Sequence, residues 1–215
     1  HDQIIRNLKA KFGNLTENRF ESIGPTVGAS LRYKALFAVL LASLMIVFYV
    51  AFAFRKVPRS VGKWRFGVST IIALAHDLII MVGIYITLGY ILNLEVDALF
   101  ITALLTTMGF SVHDSIVVLD RLREKLKAPP KDMTLEDMTN LSVNETMSRS
   151  INTSFTVALA LLALVIWGPD TIRAFNIAIL IGIIVGTYSS IFIASFVLVD
   201  WYNWAMLKKT AKEKN

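Results

Sequence analysis

Five long apolar runs, divided by polar punctuation, carry most of this chain. The first runs from Tyr33 to Phe54, about 22 residues, enough for an α-helix to cross roughly 30 Å of hydrocarbon. Arg55-Lys56-Val57-Pro58-Arg59 stops it, and Lys63 and Arg65 extend a basic loop. The second span, Phe66 to Tyr90, is interrupted in mid-membrane by His76-Asp77, and Asn93-Leu94-Glu95-Val96-Asp97 forms a tight acidic turn. The third, Ala98 to Leu119, runs on past the membrane as Asp120 to Lys125, until Pro129-Pro130 ends the helical extension. Thr134-Leu-Glu-Asp137 has the features of a helix start, with acidic residues in the first turn. The polar segment Met138 to Ser150 leads into the fourth span, Ile151 to Trp167. After the turn Gly168-Pro169-Asp170 comes the fifth span, Ile172 to Tyr202, closed by Trp201, Tyr202 and Trp204 at interfacial height.

Residues 1–32 are the only substantial stretch that reads as soluble. Ile4 to Phe12 has helical apolar spacing, and Asn18 to Ile23 reads as a short strand leading into a turn at Ile23-Gly24-Pro25. Alone this stretch is too small to bury a core, and it reads as the end of an external domain. The fold expected is therefore all-α: a polytopic membrane helix bundle of five spans over residues 33–207, with a short soluble N-terminal remnant. Its spans fall at 33–54, 66–90, 98–119, 151–167 and 172–202, with a loop at 120–150 and a basic tail at 208–215.

Composition agrees. Hydrophobic residues make up 55% of the chain, above the soluble average of about 45–50%, and the mean hydropathy is +0.59. The absence of cysteine excludes disulfides, thiolate metal sites and cysteine nucleophiles. A net charge of +6 is read in a membrane protein by side, not as affinity for nucleic acid. The segments at 55–65, 120–150 and 208–215 are rich in Lys and Arg and fall on one side of a five-span topology. The turns at 92–97 and 168–173 carry Glu95, Asp97 and Asp170 against a single Arg173. The positive-inside rule then puts the C-terminus in the cytoplasm and residues 1–32 outside. Arg6, Lys9, Lys11, Arg19, Arg32 and Lys34 run against that assignment, but the rule is weak for translocated domains.

The chemistry concentrates on the third span. Asp114 lies inside its apolar run, where an ionised carboxylate costs about 2.5–3.5 kcal/mol on insertion scales. Thr107, Ser111, Asp114, Arg121 and Lys125 fall on one helical stripe. Such a polar seam is how an ion or proton path reads in sequence, although a carboxylate that only bonds a neighbouring helix leaves the same trace. Asp77 has the same two readings, an interhelical hydrogen bond or a part in proton handling. His76 and His113 are of a type that titrates near neutral pH or sits buried and neutral. No phosphate loop, nucleophile triad or metal constellation is present. Arg149 ends a polar run at the mouth of the fourth span, either as a basic anchor or within reach of a buried carboxylate. Gly182 and Gly186 form a GxxxG packing face, in this chain or with a partner. Five spans leave that face unpaired and the polar seam uncovered, which predicts a second helical bundle.

Four separated motifs, in order, carry a resemblance. Ile23-Gly-Pro-Thr-Val-Gly28 precedes the first span and Ala75-His-Asp77 lies in the second. Gly109-Phe-Ser-Val-His-Asp114-Ser-Ile-Val-Val-Leu-Asp120-Arg121 is similar to the pattern GYSxNDTVVVFDR, and Glu145-Thr-Met-Ser-Arg149-Ser-Ile-Asn-Thr-Ser154 to ETLSRTxxTS. Together they resemble the SecF family of protein-export membrane proteins. That resemblance implies a subunit without enzymatic chemistry, which works with a SecD-like subunit in the resistance-nodulation-division superfamily. It would use the proton gradient, with no cofactor, to help the Sec translocon channel move unfolded exported polypeptide across a bacterial or archaeal-type cytoplasmic membrane. By position it makes Asp114 the proton-pathway aspartate and Arg149 its arginine, with Asp77, His76, His113 and Ser111 secondary. The family's subunit has six spans with an external domain after the first, which this chain lacks, and it usually has Asn where His113 stands. The alternative is an exporter of small molecules or lipids in the same superfamily.

Overall fold

The computed structural model describes residues 2–13, 25–55, 57–58, 61–92, 94–129 and 133–213. They form α1 (Asp2–Phe12), α2 (Pro25–Ala53), α3 (Lys63–Leu92), α4 (Ala98–Lys127), α5 (Leu135–Trp167) and α6 (Asp170–Glu213), with no strand among the described residues. The strand expected at 18–23 and its turn lie outside them, although Pro25 already opens α2. The chain divides into two units, residues 1–36 and 37–215. In the first, α1 closes on Gly13, whose φ of 78° is the left-handed value glycine adopts without steric cost. Its N–H donates to the Lys9 carbonyl at 3.0 Å.

The second unit is the helix bundle. Among the described residues five helices are long and apolar enough to cross a membrane, as the five apolar runs require. Their starts are written in side chains: Asp97 Oδ1 accepts from the Phe100 N–H at 2.9 Å to open α4. Thr134 and Asp137 form a reciprocal capping box on α5. The third span carries the chemistry, but α6 is the packing centre, lying against α3, α4 and α5. Its 44 residues make a rod of about 66 Å, so it continues well beyond any bilayer. α2 reaches α3 closely at Gly67, where a Cβ would stand 3.3 Å from the Val47 carbonyl oxygen. The buried rings of Phe54 and Phe66 stack at 4.9 Å beside that crossing.

The 120–150 segment is not an open loop. α4 continues to Lys127 and α5 begins at Leu135, so the two helices run on as an antiparallel pair beyond the apolar spans. Glu145 holds that pair together, accepting from Arg121 Nε at 2.5 Å and from Lys125 Nζ at 2.9 Å. These two cations, Lys125 first, hold the Glu145 carboxyl below the usual glutamate range.

All three basic segments meet at one end of the bundle. Arg123 Nη1 donates to the Ala53 carbonyl at 3.1 Å, and the Arg65 guanidinium stands over the Tyr202 ring at 5.8 Å. One groove there is lined by Pro58, Val61, Leu126, Leu135 and Met206. At the opposite end Tyr85 donates to the Glu95 carbonyl at 3.1 Å and stacks on Phe100 at 4.2 Å. Ala178 and Ile179 complete that cluster. The charge asymmetry read along the chain is therefore an asymmetry between two ends of one bundle.

Candidate functional site

α4 carries the polar stripe read in its sequence, and the structure divides that stripe in two. Thr107, Ser111 and Asp114 are buried, at 5%, 4% and 9% exposure. Arg121 and Lys125, two and three turns further on, bind Glu145 instead, Arg121 from an exposed position and Lys125 from a partly buried one. The buried half is covered by α6. A Cβ on Gly182 would stand 2.7 Å from Thr107 Cβ and 3.0 Å from Met81 Sδ. A Cβ on Gly186 would stand 3.3 Å from Ser111 Cβ and 3.7 Å from Asp77 Oδ2. Two expectations are corrected here. The GxxxG face is paired inside this chain, against α3 and α4, and the polar seam needs no second bundle to bury it. The physical reason is the missing side chains, which let α6 approach within contact of the seam.

Within the seam two carboxylates have different surroundings. Asp77, on α3, is 6% exposed and both its oxygens are engaged. Ser111 Oγ donates to Oδ2 at 2.5 Å, and His76 Nδ1 lies 3.2 Å from Oδ1. Asp77 therefore ties α3 to α4, and the space beside it, lined by Leu74, Met81 and Thr107, holds no room for a water.

Asp114 has one hydrogen bond to a side chain among the described residues, accepted from Ser154 Oγ of α5 at 3.2 Å. Beside it lies a cavity of about 150 Å³, which Ser111, Thr153, Ser154, Gly186 and Thr187 also line. Since liquid water occupies about 30 Å³ per molecule, that volume accommodates several next to the carboxylate. His113 lines the cavity too but is exposed, and His76 is half-buried. A carboxylate with one hydroxyl donor, hydroxyl-lined space and apolar walls can take up and release a proton without disrupting a saturated network.

The structure thus brings Asp77, Ser111, Asp114, Gly182 and Gly186 into one seam. It does not bring Arg149 to Asp114: no ion pair joins them, Arg149 is exposed, and its backbone carbonyl accepts from Thr153 Oγ1 at 2.9 Å. Ser154 is the contact that sequence reasoning passed over. It stood at the end of the fourth motif as a hydroxyl in an apolar run, but nothing in one helix tells which acid on another it meets.

The model of the family described as "Protein export membrane protein SecD/SecF, C-terminal" matches residues 3–204. A protein translocase subunit SecF of Thermobaculum terrenum is 50% identical over 201 residues, covering 94% of this chain and 62% of that protein. A protein translocase subunit SecDF of Thermus thermophilus is 42% identical over 192 residues, 89% of this chain and 24% of the relative. The crystal structure of a SecDF described as a translocon-associated membrane protein, from Thermus thermophilus, superposes with a TM-score of 0.80. It is 40% identical, covering 94% of this chain and 26% of that one. The chain spans about three fifths of the length of the Thermobaculum relative it matches.

Proposed function

The chain belongs to the SecD/SecF C-terminal family of protein-export membrane proteins, and from that premise we propose that it is the membrane bundle of a SecF-type translocase subunit. It uses the proton gradient, together with a SecD-like partner, to promote passage of unfolded polypeptide through the Sec translocon channel. The observation that carries this reading is Asp114, a buried carboxylate with one hydroxyl donor and a cavity of about 150 Å³ at its side. Loading and releasing a proton there changes the charge inside the seam by one unit. In apolar surroundings that change biases the packing of α4 against α5 and α6.

The SecDF relative, whose name joins the two subunits in one chain, supports a SecD-like partner. The translocase names of the relatives favour polypeptide cargo over small molecules or lipids. The basic end of the bundle faces the cytoplasm in this reading, with the C-terminus on that side, and residues 1–32 belong to an external domain that receives the motion. Arg149 is about 7 Å along α5 from Ser154 toward the basic end. It acts on Asp114 in the other packing, where the two helices have shifted. The protein makes and breaks no bond in its cargo; the bond it exchanges is the O–H of the proton on Asp114.

The test is translocation by the full-length protein, in its complex, into membrane vesicles with and without an imposed proton gradient. Asp114→Asn leaves insertion and assembly intact and removes the gradient-dependent part of export. A variant that responds to the gradient as the parent does would show that the carboxylate is structural.

A further inference from the structure

α5 is antiparallel to α6, and their contact registers can be read from the cavities between them. Thr153 and Ser154 face Gly186 and Thr187 around Asp114, while Asn144 and Met147 face Ile191 and Ser195 in a second, larger groove of about 690 Å³. The groove lies on the basic-end side of the cavity, in the same α5–α6 seam. Along α6 it runs from Tyr188 to Val199, inside the apolar stretch that ends at the Trp201–Trp204 belt. Its α5 wall carries Glu136, Asn140 and Asn144, one turn apart and all exposed in this chain, beside Val143 and Met147.

That placement has a physical consequence. The apolar run from Ile151 to Trp167 is 17 residues, about 25 Å of helix, short of the roughly 30 Å hydrocarbon core. The polar turn just before Ile151 therefore enters the membrane, and polar groups at that depth must meet protein or line water. Two hydroxyls point to water. Ser195 is 4% exposed, lines the groove, and its Oγ has no hydrogen-bond partner among the described residues. Ser150 is 1% exposed and its Oγ likewise has none among them. It lies three residues from Met147 of the groove and four from Ser154 of the cavity, on the helix face that joins them. A small apolar cluster forms part of the groove's wall: Val143 and Ile191, which line it, are buried together with Val118 of α4, Met147 packs against them, and none of the four reaches the cavity beside Asp114.

We propose that the α5–α6 seam is the route by which water, and with it the proton, reaches Asp114 from the basic end, and that Val118, Val143, Met147 and Ile191 form an apolar plug that closes it in this structure. The inference rests on reading Asp114 as the proton-carrying group. Apolar constrictions of this kind gate by dewetting, so widening the plug or making it polar opens the route. Ser150 lies on the Asp114 side of the plug and Ser195 on the basic-end side.

The chain has no cysteine, which makes the test direct. Single cysteines at Ser195, Ser150 and the exposed apolar-face position Leu159 are reacted with a membrane-impermeant cationic thiol reagent applied to the basic end of the full-length protein in vesicles. Rates are read on protein that still elutes as one species. Ser195→Cys reacts, Leu159→Cys does not, and Ser150→Cys reacts about tenfold or more slowly than Ser195→Cys because access is blocked. Adding Val143→Thr, which keeps the volume, or Ile191→Ser brings the Ser150→Cys rate up toward that of Ser195→Cys. A Ser195→Cys as inert as Leu159→Cys overturns the route, and a Ser150→Cys rate unmoved by both plug variants overturns the plug. These rates do not depend on proton chemistry. The Asp114→Asn export assay therefore judges the functional reading separately.

Discussion

Asp77 and Asp114 are the same residue type, both buried, on neighbouring helices, and the structure treats them in opposite ways. Asp77 is saturated: a serine and a histidine hold its two oxygens, Gly186 brings α6 against it, and no water fits beside it. Asp114 is left open, with one hydroxyl at 3.2 Å and a cavity next to it. A carboxylate held on both oxygens is a fastener, since protonating it would weaken the Ser111 bond that joins α3 to α4 and the His76 contact within α3. A carboxylate with room beside it can change charge while its surroundings adjust. The lesson is that burial alone does not identify a working acid in a membrane; unfilled bonding capacity beside space does.

The contrast is broken most severely at Gly186, which touches both halves. Gly186→Leu places a branched side chain where a Cβ alone would stand 3.3 Å from Ser111 Cβ, and it also fills the Asp114 cavity. Overpacking of this kind typically costs about 1–3 kcal/mol. The expected outcome is a lower thermal midpoint in detergent together with loss of gradient-driven export. Retention of both would mean that the seam is looser than these contacts imply.

Asp77→Asn sharpens the contrast with a smaller effect. An amide keeps an acceptor for Ser111 and removes the charge. The expected loss is about 0.6 kcal/mol and not above about 1.7, the range for interhelical hydrogen bonds in membranes. Export with the gradient stays near the parent level in the same vesicle assay. A loss as deep as that of Asp114→Asn would make Asp77 a second working acid and not a fastener.

Much of this was legible in the residues. Five apolar runs became five helices, Thr134 to Asp137 became a capping box, and the interhelical bond was one of two readings of Asp77. The helical stripe through Thr107, Ser111 and Asp114 is the buried seam. What stayed hidden depends on register between helices. GxxxG marks a packing face without saying which helix fills it, so Gly182 and Gly186 read as unpaired when they meet Thr107 and Ser111. The polar stretch before Ile151 follows the helix start read at Thr134–Asp137. The ion pairs to Glu145 that hold it against α4, however, join residues 20 and more positions apart and are not marked in either helix. Arg149 read either as a basic anchor or, from its place below the apolar run and from its motif, as a partner for Asp114. In this packing it stays exposed.

The account stands or falls on which carboxylate takes up the proton, and infrared difference spectroscopy on lipid-reconstituted full-length protein reads that without an export assay. The spectrum at about pH 6 minus that at about pH 8, both above the range in which exposed carboxylates take up protons, recorded in H₂O and D₂O, shows the carbonyl stretch of a carboxylic acid that becomes protonated between them. The account predicts that this band is present in the parent, kept in Asp77→Asn and missing in Asp114→Asn. A band that persists in Asp114→Asn, or disappears in Asp77→Asn, would contradict it.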